Sequence, residues 1–188
     1  MLSKFFGRRS TNTAGSPEPF VLLIQDDEEV QNSLLSDDMR LMMGQNPPSD
    51  EIPGAVGTFG YSPTNPIPVN GPIGEIAYLS KLRTNGGERL LFHRVGSVKN
   101  AIDQYEAVTF SGSEWFTFYL TMYYPKRSRR APEGFNLVEG PCTFTGFAQR
   151  SNNFPYDFVE RVQESKLRDA YLHTPDIQAL LKLGDFNR

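Results

Sequence analysis

Apolar and polar positions alternate most clearly between Ala101 and Arg130. Val108-Thr109-Phe110 closes one β-rich run, Trp115 to Tyr124 forms the next, and Ser111-Gly112-Ser113 lies between them. β-branched and aromatic residues around a central glycine predict a hairpin. A type II′ turn on Gly112-Ser113 would set Ser111 opposite Glu114. Tyr105, Ala107, Thr109, Phe116, Phe118, Leu120 and Met122 then share an apolar face. Gln104, Glu106, Val108, Phe110, Trp115, Thr117, Tyr119, Thr121 and Tyr123 share a mixed face of hydroxyls and aromatics. A slip of one residue would put Glu106 beside Phe118 and spoil the separation.

The other elements follow from the same pattern. Phe20 to Gln25 predicts a short buried strand. Val30, Leu34, Leu35, Met39 and Met42 recur at helical spacing behind an acidic start, predicting a helix from about Asp27 to Met43 that Ser33 and Ser36 could split. Glu75–Arg83 and Glu88–Gly96 flank Asn85-Gly86 and predict a second hairpin, with Tyr78 facing His93. Asn136 to Gln149 predicts a further strand, bent at Gly140-Pro141. Pro155 opens a C-terminal helix striped by Phe158, Val162, Leu167, Ala170 and Tyr171. Thr174-Pro175 opens another, anchored by Ile177, Leu180, Leu181 and Leu183.

Between these elements lies a stretch that proline shapes. Residues 45–74 are rich in Pro and Gly and can hold neither a long helix nor a central strand. Phe59, Tyr61, Ile67 and Val69 should pin its second half across the sheet, leaving 45–54 mobile. The expected architecture is α+β: an antiparallel meander of about five strands, one N-terminal helix and two C-terminal helices. Residues 1–19 read as a flexible tail and 20–188 as a single domain.

Composition narrows the function classes. The chain of 188 residues carries a formal net charge of −3, so no global field draws it to nucleic acid or an anionic membrane. The longest apolar runs fall well short of the roughly 18 residues that span a bilayer. The basic, aromatic start from Met1 to Arg9 lacks the apolar core of a secretory signal. A single cysteine, Cys142, points to a reducing compartment such as the cytoplasm and reads as a small buried hydrophobe rather than a nucleophile.

No cofactor fingerprint and no metal-ligand set stands in the sequence; Gly71 and Gly74 flank a proline and lack the Lys-Ser/Thr of a phosphate loop. The chemistry that remains is Trp115, Tyr119 and Tyr123 on the mixed face, beside the cations Lys126, Arg127, Arg129 and Arg130. Trp, Tyr and Arg dominate interface energetics, so the leading expectation is a non-catalytic module that binds a protein partner there and along the Pro-rich crossing segment. Aromatic stacking beside cations is also the chemistry of single-stranded DNA or RNA binding, the second expectation. The third is a hydrolase or transferase using His93 with Asp103 or Glu106. The early acids of Asp26 to Glu29 could neutralise the cationic stretch in space.

Overall fold

A computed structural model describes residues 19–98 and 101–172, together with Ala179 and Phe186. Residues 1–18 of the predicted tail, and His173, Ile177, Leu180, Leu181 and Leu183 of the last predicted helix, lie outside the described residues, while Pro19 already belongs to a helix. Among the described residues no helix is long and apolar enough to cross a membrane.

The class is α+β, but the sheet is mixed rather than an antiparallel meander. Its centre is three antiparallel strands: β3 (Leu90–Val98), β4 (Ile102–Thr109) and β5 (Trp115–Thr121). Two short strands join its edges in parallel: β1 (Ile67–Pro68) beside β5, and β7 (Gly146–Phe147) beside β3. Pro68 occupies an edge, where its missing N–H costs no central ladder bond.

The β4–β5 hairpin forms with a wider loop than expected. Val108 faces Trp115 and Tyr105 faces Phe118. The Thr109 N–H reaches the Glu114 carbonyl at 3.0 Å, so four residues turn the corner, with Gly112 at φ 79°. The register differs from the sequence reading by two residues. Side chains alternate with period two, so both faces keep the composition predicted for them. Tyr105, Ala107, Phe118 and Leu120 are wholly buried, whereas Phe116 and Met122 are partly covered.

Glu75 to Lys81 is helix, not strand. Helix α4 (Gly71–Lys81) begins with Gly71 at φ 73° and Pro72 in its first turn, where a missing N–H is harmless. It is buried nearly all round, so no polar stripe marks its period. Leu82–Thr84 then forms β2, which pairs with β6 (Phe135–Leu137) in a separate two-stranded sheet. Asn85-Gly86 still turns the chain, since Thr84 N–H reaches the Glu88 carbonyl at 3.0 Å, but the flanking strands go to different partners. His93 consequently faces Glu106, not Tyr78.

Phe20 to Gln25 is also helical. Helix α1 (Pro19–Asp26) buries Ile24 and Gln25 while Phe20, Leu22 and Leu23 remain exposed. A five-residue apolar run does not distinguish strand from helix, and Pro19 at the helix start favours the latter. The predicted helix over 27–43 splits as α2 (Glu28–Ser33) and α3 (Asp37–Met43). Asp27 and Ser36 cap them by accepting N–H bonds from Glu29, Val30 and Met39.

The core reaches both faces of the sheet: Tyr105, Ala107, Phe118 and Leu120 are buried on one, Leu91, Val108 and Phe147 on the other. Helix α4 packs against β3 and β7, and α1 and α2 pack on α4. Phe118 meets Tyr61 at 5.5 Å and Phe135 at 5.3 Å between ring centroids. Phe59, Ile67 and Val69 are buried, so the second half of the Pro/Gly-rich stretch is pinned to the sheet. The strand predicted over 136–149 is reduced to β6 and β7 at its two ends. Helix α5 (Phe158–Glu164) follows, and Arg168–Ala170 forms a single 3-10 turn. Phe147 meets Phe158 and Tyr171, each at 4.9 Å, so α5 covers part of the opposite sheet face.

Candidate binding site

The uncovered remainder of that face forms a recess of about 620 Å³. Its floor comes from adjacent rows of the sheet. Trp115 lies in the row of Leu91 and Val108, followed by the row of His93, Glu106 and Thr117, and then by Gln104. Its wall is the segment after β7, with Arg150, Ser151, Asn152, Phe154 and Tyr156. Phe186 also lines it, and its ring lies 5.9 Å from that of Tyr156.

His93 is held by several contacts in the recess. Its ring stacks on Phe154 at 4.4 Å, and Phe154 in turn meets Trp115 edge-on at 6.0 Å. The Ser151 backbone N–H donates to His93 Nδ1 at 3.0 Å. With that lone pair occupied, the neutral ring carries its proton on Nε2, which faces Glu106 Oε2 at 3.3 Å. The Ser151 hydroxyl turns the other way and donates to Asp157 at 2.7 Å. It is therefore not aligned with His93 as a nucleophile would be. Of the two acids predicted as partners for His93, Glu106 meets it. Asp103 lies on the opposite face of β4, held by Arg94 at 2.8 Å and Ser97 at 2.6 Å.

The other predicted site residues do not converge. Tyr119 is half-buried, and its backbone N–H donates to the Gly60 carbonyl at 2.8 Å. Tyr123 lines a different groove of about 570 Å³ with Met42, Ile52 and Pro63. Trp115, Tyr119 and Tyr123 therefore build no single stacking platform.

Three of the predicted cations hold carboxylates. Arg127 is 9% exposed in its side chain and donates to Glu28 at 3.3 Å and to the Asp26 carbonyl at 2.6 Å. Arg129 forks onto Asp50 with a shortest contact of 2.9 Å. Arg130 pairs with Glu51 and lies over the Phe59 ring at 4.7 Å. Lys126 is exposed. Two of the early acids, Asp26 and Glu28, thus meet Arg127, and Asp50 and Glu51 take Arg129 and Arg130. The Arg129 hydrogen bond holds the Asp50 carboxyl below its ordinary value.

Sequence reading missed Arg150, Asn152, Phe154 and Tyr156 as site residues. The segment read only as the lead-in to a helix, because the β3–β7 pairing that brings it over His93 joins residues more than fifty positions apart. Phe154 stood next to Pro155, and nothing local links it to Trp115. Among the described residues no group of three or more His, Cys, Asp or Glu could hold a metal ion. Comparison with protein-family models, curated proteins and solved structures finds no significant match.

Proposed function

We propose that the chain is a non-catalytic interaction module that receives part of a protein partner in the recess over His93 and Glu106. The observation that carries this reading is the recess itself. It sets the aromatic rings of Trp115, Phe154, Tyr156 and Phe186 beside Arg150, Gln104 and Asn152. Large amphipathic rings with a few directional polar groups are the composition of energetic centres in protein interfaces. Both ring nitrogens of His93 are committed within the fold, which favours binding over general-base chemistry.

The ion pairs argue against the nucleic-acid reading. Phosphate binding draws its affinity from uncompensated cations, and Arg127, Arg129 and Arg130 each face a carboxylate. A photo-crosslinking residue at exposed Thr117 should capture one protein partner that a residue at Lys166, on another surface, does not capture. Arg150→Ala should abolish that capture. Equal capture from both positions overturns the reading. So does tight binding of single-stranded RNA at physiological salt, lost when Lys126 and Arg129 are neutralised.

A further inference from the structure

Two carboxyl groups meet beneath α4. Glu75 reaches in from the helix and is 1% exposed; Asp103 comes from β4 and is 2% exposed. Glu75 Oε2 accepts the Tyr105 hydroxyl at 2.8 Å. Asp103 Oδ1 accepts from the Arg94 guanidinium and from the Ser97 hydroxyl, to which Arg94 also donates. One oxygen on each acid, Glu75 Oε1 and Asp103 Oδ2, is left buried without a donor.

An ionised carboxylate can only accept, so two ionised acids would leave both oxygens unsatisfied. A single O–H on Glu75 directed at Asp103 satisfies both. The charges agree: the groups facing Glu75 are Asp103 and Tyr105 from β4 and the cation Arg94 from β3, and one guanidinium balances one carboxylate. We propose that Glu75 and Asp103 share one proton, and that this proton latches α4 to the sheet. Burial, and then the charge of Asp103, hold the Glu75 carboxyl well above its ordinary range, in keeping with that arrangement.

The latch has a direction. The folded state binds a proton that the unfolded state releases above the ordinary glutamate range. Its stabilisation is complete below that range and is lost as pH rises through the raised folded value. Removal of the proton sets two negative charges against one cation in a dry core. Because α1 and α2 rest on α4, the whole helical layer becomes alkali-sensitive.

Glu75→Gln tests this in the full chain, since glutamine keeps an acceptor for Tyr105 and supplies an amide donor to Asp103. The urea midpoint of the wild type should fall between about pH 5 and about pH 9, while that of E75Q should fall much less. Amide exchange in α4 should accelerate with pH more steeply in the wild type than in E75Q. Equal slopes overturn the proposal. A second measurement needs no variant: at neutral pH the wild type should show the infrared carbonyl band of a protonated buried carboxylic acid. Absence of that band also overturns it.

Discussion

The two faces of β4 and β5 differ in almost every respect. One face carries Tyr105, Ala107, Phe118 and Leu120, all wholly buried, and its Asp103 and the Tyr105 hydroxyl sit in a buried network under α4. The other carries Gln104, Glu106 and Thr117, which line the recess. Neighbouring residues on one strand therefore live in opposite environments. The dry face specifies the fold and tolerates little change. The second face also buries Leu91 and Val108, but it leaves Thr117 exposed, and at such a position a side chain can change without unfolding the chain.

The sharpest way to break that contrast is Phe118→Ala. Phe118 has no exposure and touches Tyr61, Phe116 and Phe135. Deleting a fully buried phenyl ring should cost about 3–5 kcal/mol in a urea melt. A loss below about 1 kcal/mol would show that this face is not the core.

Next in size is Gly146→Ala, at the parallel edge. A Cβ there would land on the Phe92 ring and on the Phe92 backbone oxygen. The backbone cannot yield as a flexible side chain would, so the expected cost is about 1–3 kcal/mol or more. An unchanged urea midpoint would mean that β7 does not dock on β3 as described. His93→Leu probes the same join from the second face. It removes the acceptor for the Ser151 N–H, and an orphaned buried donor costs about 1–3 kcal/mol. The segment 150–156 should then lose protection in hydrogen exchange ahead of the rest of the sheet.

Thr117→Ala is the control for Phe118→Ala one residue away. Thr117 is exposed, so stability should change by no more than about 0.5 kcal/mol. A large stability loss would erase the distinction between the faces.

These contrasts also explain what the sequence could and could not reveal. The faces of β4 and β5 were legible because a register error of two residues preserves side-chain parity. The acidic start of α2 and the break at Ser36 were legible because a cap acts within one helical turn. Helix α4 was not legible as a helix, since a helix buried on most sides shows no amphipathic period, and the Asn85-Gly86 turn suggested a hairpin whose strands in fact diverge. The recess was half legible. Glu106, Trp115 and His93 stood in strands that could be read, but Phe154 and Arg150 reach the site through a parallel pairing set by tertiary contacts alone.

The smallest expected effect concerns 45–54, expected from sequence to be mobile. In the fold this stretch is tied down by side chains: Asn46 donates to the Tyr123 carbonyl at 2.9 Å, and the Ser128 hydroxyl donates to the Asp50 carbonyl at 2.6 Å. The Asp50 carboxylate, in turn, accepts from the Arg129 N–H and guanidinium. Because Arg129 holds the Asp50 carboxyl below its ordinary value, the carboxylate contributes above the ordinary aspartate range, and the contribution is lost as pH falls through the lowered folded value. The pair is largely solvated, so the effect on global stability should be slight. Local order is the better readout. Asp50→Asn should raise the rate of limited proteolysis within 45–54 at neutral pH while leaving the urea midpoint unchanged. High salt should do the same to the wild type and little more to the variant. If both proteins are cut there first and equally fast, the ion pairs do not order the stretch, and the sequence expectation of a mobile segment stands.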